Sequence, residues 1–358
     1  MLVGRSVDVI RMSGDRRPIK EHYDEAIEKA VQSEADGFDF VFSGEHHFEA
    51  DQWTPSPLTL QTAIAANTST IRLGTAIIQA PYYHPIRLAE QLATIDIISG
   101  GRMSVAAGTG SAEHEFRTFN IPPKERHGRT FETMAIVKGM FENEVYDHQG
   151  RYFTFPDIAL TTRPMQKSMP LFVAAMGPKN MRRAGKGGFD LMFSPTAAWY
   201  VDEYIEGLKE GGHSIDDVNI AGYMGFGLVV ATQQEADQIR DTVYDMAAEF
   251  TIKYQQRRAV QRDTVSVESE LNKRKEHPGK ASVGPVGTPD QVLRALEKLY
   301  KDFPITHLMG DGTFGPMGSS ELWLKEVAPV LREWGRDPVG TELVEEVIPE
   351  AELDSLTA

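Results

Sequence analysis

Between residues 71 and 110 the chain reads Ile71-Arg72-Leu73-Gly74-Thr75-Ala76-Ile77-Ile78-Gln79, then a turn Pro81-Tyr82-Tyr83-His84-Pro85, and later Met103-Ser104-Val105-Ala106-Ala107-Gly108. The first run is mostly apolar, as a strand buried on both faces must be. Leu88, Leu92 and Ile95 then repeat at helical spacing on one face, and Ser99-Gly100-Gly101 supplies residues able to take the left-handed conformation that ends a helix. The second run reads as the next parallel strand. Strand, helix and strand within ~40 residues make the right-handed crossover unit of a parallel sheet.

Outward from this unit the same alternation recurs in both directions. Candidate strands lie near Val7 to Met12, Phe38 to Ser43, Ile71 to Gln79, Met103 to Gly108, Leu171 to Ala174, Asp190 to Ser194, Asn219 to Ala231 and Thr306 to Gly310. Runs of this number are what a closed α/β barrel, the (β/α)8 TIM barrel, requires. The length of 358 residues allows one large domain or two smaller ones, but no long polar linker divides the chain. We therefore expect a single barrel domain over residues 1–335 and an acidic tail over 336–358. Insertions are expected after strands 4 and 7. Residues 111–128 carry Pro122-Pro123 and several charges, 145–155 look like a hairpin turned at Gln149-Gly150, and 249–285 are dense in Lys, Arg and Glu, as lids and subunit contacts are.

Composition narrows the function. Hydrophobic residues at 41% and charged residues at 25% describe an ordinary globular chain with material for a packed core. The absence of cysteine removes disulfides, thiolate nucleophiles and cysteine metal sites. A net charge of −15 argues against nucleic acid and anionic lipid as partners. No apolar run approaches the ~20 residues of a membrane span, and Met1-Leu2-Val3-Gly4-Arg5-Ser6 has no signal-peptide core, so a cytoplasmic protein is expected. Much of the acidity sits in the tail, which reads as a solvated or subunit-wrapping segment.

The chemistry concentrates where Phe38-Asp39-Phe40-Val41-Phe42 runs through Ser43-Gly44 into Glu45-His46-His47-Phe48. Two adjacent imidazoles at the carboxyl end of a strand suit general acid–base work, although adjacent histidines can also be plain loop residues. Glu49 and Asp51 follow, and with His46 and His47 they offer a rival metal set. Its spacing is poor, because ligands on one helix face stand four apart and neighbours on extended chain diverge. Two strand ends could seat an anion: Gly108-Thr109-Gly110 and Ala174-Ala175-Met176-Gly177-Pro178, the latter leading into a helix near Lys179. Arg126 and Arg129 lie on the stretch between them. Either seat taken alone reads equally as a tight turn. Phe314, Met317, Trp199 and Tyr200 could line an apolar pocket or belong to core and rim. No G-x-G-x-x-G, G-x-x-x-x-G-K-[ST] or G-x-S-x-G occurs, against a Rossmann domain, a P-loop and an α/β-hydrolase.

Several features in this order resemble the bacterial luciferase-like, flavin-dependent monooxygenase superfamily. They are Glu45-His46-His47-Phe48, Leu73-Gly74-Thr75-Ala76, His84-Pro85 with Leu88-Ala89-Glu90-Gln91, Asp96, Ser99-Gly100-Gly101-Arg102, the Arg126, Arg129 and Glu132 series, Val286-Gly287-Thr288-Pro289, and Glu326-Val327-Ala328-Pro329. The resemblance covers most of the chain. It implies a (β/α)8 barrel that binds reduced FMN at the carboxyl ends of its strands, the flavin coming from a separate, transiently bound reductase. Oxygen would give a C4a-peroxyflavin that transfers one oxygen atom to a small, largely apolar organic substrate, with no metal, and the assembly would be a homodimer.

By the same resemblance His46 is the catalytic histidine. Thr75 and Ala76 would lie against the isoalloxazine; Gly108, Thr109, Ala175, Met176 and Gly177 would hold the cofactor's phosphate region; and Arg126 or Arg129 would neutralise the phosphate. Residues 249–285 would form the mobile lid. Gly108 stands where bacterial luciferase has a reactive cysteine, and Thr109 replaces a phosphate-binding arginine, so light emission from an aldehyde is not the expected activity. Relatives that use coenzyme F420 for hydride transfer leave an F420-dependent dehydrogenase or reductase as one alternative, and a non-catalytic flavin-binding protein as another.

Overall fold

The computed structural model describes residues 1–11, 15–48, 53–223, 228–243, 285–300, 303–310 and 319–344. Its centre is a parallel sheet of nine strands: β1 (Leu2–Ser6), β2 (Phe40–Ser43), β3 (Arg72–Thr75), β4 (Ile78–Gln79), β5 (Val105–Gly108), β8 (Leu171–Ala174), β9 (Asp190–Phe193), β10 (Ile220–Tyr223) and β13 (His307–Met309). Their order is β3-β2-β1-β13-β10-β9-β8-β5-β4. β3 and β4 are one run interrupted at Ala76-Ile77, whose peptide bond is cis. Leu73 bridges to Met103 and β4 pairs with β5, so the two edges of the sheet meet and the barrel closes with eight staves.

Most staves are buried on both faces, which is why β2, β5, β8 and β9 read as largely apolar runs. Phe40, Phe42, Ala106, Phe172, Met192, Ala221 and Met309 fill the barrel interior. Their neighbours Val41, Val105, Ala107, Leu171, Val173, Leu191 and Leu308 face the helices in the larger outer core. Gly4 admits the Phe40 ring, because a Cβ there would collide with it.

Helices α1 (Ile19–Asp36), α2 (Pro57–Asn67), α3 (Pro85–Ser99), α5 (Arg126–Glu142), α6 (Pro178–Lys186), α7 (Val201–Gly211) and α8 (Pro289–Tyr300) cover the barrel. α2, α3, α6 and α8 each open on proline, whose missing N–H and fixed φ suit the first turn. α3 buries Leu88, Ala89, Leu92, Ala93 and Ile95 and ends at Gly100, where φ is 70°. Burying a leucine side chain of this kind contributes about 1.5–3 kcal/mol. The short helix α4 (Glu113–Thr118) lies in the first insertion, and β6 (Tyr146–Gln149) pairs antiparallel with β7 (Thr154–Ile158) in the expected hairpin.

Two strand expectations need correction. The first stave is Leu2–Ser6, not Val7 to Met12. Val7 and Val9 are buried all the same, because the chain folds back over the barrel end and Val9 N donates to Thr54 Oγ1 (2.9 Å). The run from Asn219 divides: Ile220–Tyr223 belongs to the barrel, whereas β11 (Leu228–Val229) pairs with β12 (Val286–Gly287) outside it. The segment expected to form a lid, residues 249–285, lies outside the described residues except for Pro285, as do Phe314, Met317 and residues 345–358.

Acids close the amino-terminal end, Asp96 and Asp190 buried and Asp39 half-buried. Asp190 accepts from Leu171 N (2.9 Å) and Asn219 N (2.6 Å), and burial pushes its carboxyl up to about 6. Asp96 accepts from Gln166 N (3.0 Å) and Gln166 Nε2 (2.7 Å), and Asp39 from Val3 N (2.8 Å). Residues 336–344 run along this end: Val339 N donates to Asn219 Oδ1 (3.0 Å), and Lys167 N donates to Glu342 O (2.9 Å).

Candidate active site

At the carboxyl end β2 runs into a loop at Gly44, whose N–H donates to Asp8 Oδ1 (2.5 Å). Ser6 Oγ donates to the other Asp8 oxygen (2.6 Å), and burial pushes the Asp8 carboxyl above its ordinary range. Glu45 turns inward and is buried. It accepts from Gln79 N (2.5 Å) and Tyr83 O–H (3.0 Å) and meets His47 Nε2 at 2.7 Å. Burial, then the charge of Glu45, holds the Tyr83 phenol well above its usual value.

His46 and His47 diverge, as neighbours on extended chain must. The His47 ring is tied to Glu45 and packed edge-on to Tyr82 (5.7 Å between ring centres) and Phe119 (4.8 Å). The His46 ring lies edge-on to Trp53 at 4.9 Å, with Nδ1 3.5 Å from Glu115 Oε1. Glu115 is fully buried; it accepts from His47 N (2.8 Å), and its second oxygen is 3.5 Å from Tyr82 O–H. Burial alone would raise this carboxyl, but the facing His46 ring, the His47 amide and Gln79 together hold it below the ordinary range.

The sequence pointed to the two histidines but not to Glu115, Asp8, Gln79 or Tyr83. Glu115 sits 68 residues beyond His47 in an insertion, one of two glutamates in Glu113-His114-Glu115, and only the adjacent Phe116, also buried, hints that this side faces inward. The rival metal set involves Glu49 and Asp51, which lie outside the described residues; among the described residues no three His, Cys, Asp or Glu side chains are arranged to hold an ion.

The expected flavin-facing positions separate. Thr75 is buried in the barrel wall, where its hydroxyl donates to Ala106 O (3.0 Å) and accepts from Ala106 N (3.0 Å). Ala76, with Ile77, stands half-exposed at the mouth, joined by Ala174 and Tyr223 above the interior core. A Cβ at Gly108 would meet Ile77 Cδ1, the tip of a half-exposed side chain, so the glycine leaves that tip room to settle. Thr109 is half-buried, and its hydroxyl donates to Gly110 O (3.3 Å). Ala175 is wholly buried in the outer core, while Met176 is 54% exposed. Trp199 and Tyr200 are exposed on the 3₁₀ turn Pro195–Tyr200.

The two arginines also separate. Arg129 Nε donates to Glu125 Oε2 (2.9 Å), and its guanidinium lies over the Tyr152 ring at 4.7 Å. Arg126 has no described carboxylate partner. It adjoins His127, whose Nδ1 is 3.0 Å from Asn180 Nδ2 in the first turn of α6. Burial, then the charges of Arg126 and Arg183, hold the His127 imidazole below its usual value. The α6 N-terminus is capped by Gly177, around which a Cβ would meet nothing within 4 Å. A cation without a described carboxylate partner, close to a helix N-terminus, suits an anion.

Comparison with known proteins follows from this geometry. The profile of the luciferase-like monooxygenase family matches residues 6–307. The oxygenase component of flavin-dependent trigonelline monooxygenase from Acinetobacter baylyi (strain ATCC 33305 / BD413 / ADP1) is 31% identical over 202 residues, 56% of this chain and 55% of that protein. The chain thus spans about half the length of the curated relatives it first matches. Among solved structures, the oxygenating constituent of 3,6-diketocamphane monooxygenase from Pseudomonas putida, in complex with FMN, superposes with a TM-score of 0.69 at 20% identity, over 94% of this chain and 99% of that one. An F420-dependent secondary alcohol dehydrogenase superposes with the same score of 0.69 at 20% identity, over 92% of this chain and 98% of its own. The barrel fold is thereby shared with both cofactor classes, and the profile match places the chain in the luciferase-like monooxygenase family.

Proposed function

We propose that this chain is the oxygenase of a two-component, flavin-dependent monooxygenase that takes reduced FMN from a separate reductase and inserts one oxygen atom from O2 into a small, largely apolar organic substrate. The observation that carries this reading is the layout of the mouth. A half-exposed apolar floor of Ala76, Ile77, Ala174 and Tyr223 has the Arg126–His127 corner with the open α6 N-terminus on its rim, and the His46 cluster at the end of β2. A flat, largely apolar ring system carrying an anionic tail fits such a floor and corner.

In this reading Gly177 and the first N–H groups of α6 receive the phosphate, with Gly108, Thr109, Ala175 and Met176 shaping the approach. Arg126 supplies the neutralising charge, because Arg129 is already engaged by Glu125 and Tyr152. Ala76 and Ile77 bear on the ring, and Thr75 supports them from the barrel wall. Reduced FMN, when bound, supplies the activation of oxygen. The protein excludes water from the mouth, orients the acceptor, and holds or moves a proton at His46. A homodimer in the cytoplasm, with residues 1–335 as one barrel unit, belongs to the same proposal. Among the described residues no helix is long and apolar enough to cross a membrane.

The test is a titration of the purified chain with reduced FMN and with F420 under anaerobic conditions, followed by mixing with labelled oxygen and a substrate panel. Binding of reduced FMN and label in an organic product are the expected results. Absence of either sinks the proposal. Tight F420 binding with oxygen-independent turnover would support the dehydrogenase alternative, whose fold is the same. Flavin affinity without turnover, unchanged in His46→Ala, would support the non-catalytic one.

A further inference from the structure

We infer that Glu115 is the positioning residue for His46: its carboxylate engages Nδ1 and leaves Nε2 as the nitrogen turned toward the barrel mouth. The contribution of this pair to turnover rests on the proposed function above; the geometry of the pair does not.

A carboxylate is retained in a fully buried position only where donors satisfy it. Glu115 Oε1 takes the His47 amide at 2.8 Å and faces His46 Nδ1 at 3.5 Å. His46 Nδ1 is shut off from solvent, and its 3.5 Å separation from Glu115 is an ion-pair distance, longer than a well-formed hydrogen bond; 21% of the side chain is exposed, so the open edge of the ring lies away from Nδ1. Trp53 fixes the plane of the ring from a third side, at 79° to its own. Asp8, two residues past β1, is another acid among the described residues that feels His46. Its two oxygens are already engaged by Gly44 N and Ser6 Oγ, so it does not compete for Nδ1.

An acid on one ring nitrogen decides which nitrogen carries the proton of the neutral imidazole. With Glu115 on Nδ1, the proton sits on Nδ1 and the lone pair on Nε2. His46 then meets the mouth as a hydrogen-bond acceptor and proton acceptor. His47 is the contrasting case: its Nε2 is consumed by Glu45, and aromatic rings pack against it, so it holds the loop. The insertion that carries α4 thus completes a site begun by β2.

The inference is tested by nitrogen NMR of the histidine-labelled chain without cofactor, the His46 signals being assigned by their loss in His46→Gln. In the wild type, neutral His46 is expected to show a protonated Nδ1 and an unprotonated Nε2. In Glu115→Gln, whose amide keeps an acceptor for the His47 N–H, the proton should shift at least partly to Nε2. A wild-type His46 protonated on Nε2, or nitrogen shifts identical in Glu115→Gln, overturns the inference, and the wild-type spectrum decides even where the variant does not fold. With reduced FMN, oxygen and a substrate, Glu115→Gln is expected to lose at least tenfold in kcat while flavin affinity stays within twofold. Unchanged kcat would also overturn the positioning role. Should the wild type not turn over flavin at all, the proposed function falls and the NMR result still decides the pair.

Discussion

At the amino ends of the strands, Asp96 and Asp190 accept from backbone and amide N–H groups of neighbouring segments, and Asp39 accepts from Val3 N and from the Arg332 guanidinium, which like an amide keeps its protons. At the carboxyl ends, Glu45 and Glu115 accept in part from imidazoles and a phenol. Both ends bury carboxylates, and burial costs the charged form at either end. The difference lies in the partner. A backbone N–H has no second protonation state, so the amino-end acids fix segments and nothing else. An imidazole has two nitrogens and a movable proton, so the carboxyl-end acids choose between chemical states. Partner type, more than burial, separates the structural end of this barrel from the reactive one.

Substitutions at the two ends of the barrel should separate the structural acids from the reactive ones. His46→Ala should give the largest effect, a loss of about 10²–10⁴ in the oxidative step if His46 acts as acid or base, with folding intact. Steady-state turnover and thermal unfolding measured on the same preparation check it; an unchanged rate would remove His46 from the mechanism.

Asp190→Asn should reverse that pattern, lowering stability while leaving turnover per folded molecule within twofold. Its pH dependence has a definite sign. The folded carboxyl titrates at about 6, above its ordinary 3.8, so its contribution to stability is complete below about pH 4 and is lost as pH rises toward 6. The stability gap between wild type and Asp190→Asn should therefore narrow over that interval by about 3 kcal/mol, on the scale of 1.36 kcal/mol per pKa unit. Denaturant melts at a series of pH values would show it, and a gap that widens would refute the assignment.

Arg126→Ala should weaken reduced-FMN binding by about tenfold, the loss of one charge-assisted contact of about 1.5 kcal/mol. Arg129→Ala should change it by less than threefold, since its charge is already matched by Glu125. Equal losses in the two titrations would mean that the engaged arginine also serves the cofactor.

Much of the barrel was legible in the sequence because strands buried on both faces announce themselves as apolar runs, and because prolines and glycines mark where α2, α3 and α6 begin and α3 ends. The first stave was misread since Val7 and Val9 are as buried as a strand although they pack over its end. The run from Asn219 was read too long because β11 continues the apolar pattern in a separate two-stranded pair. His46 and His47 were legible as neighbours at a strand end. Their acids were not equally so. Glu45 adjoins them in sequence, but Glu115 joins them only through closure of the fold, and no local periodicity encodes that contact. The same holds for the division between Arg126 and Arg129, which depends on where Glu125 and Tyr152 fall in space.

The seam between β3 and β5 carries one more consequence. Where main-chain pairing between these staves is interrupted, the Ala106 amide is held by the Thr75 hydroxyl in place of a carbonyl. The exchange rate of that single amide with solvent deuterium therefore reports the rotamer of one side chain. It offers a ligand-free gauge of how firmly the barrel is clasped directly beneath the mouth. Thr75→Ser should preserve its protection and Thr75→Val abolish it, and any molecule that settles on Ala76 and Ile77 should slow it.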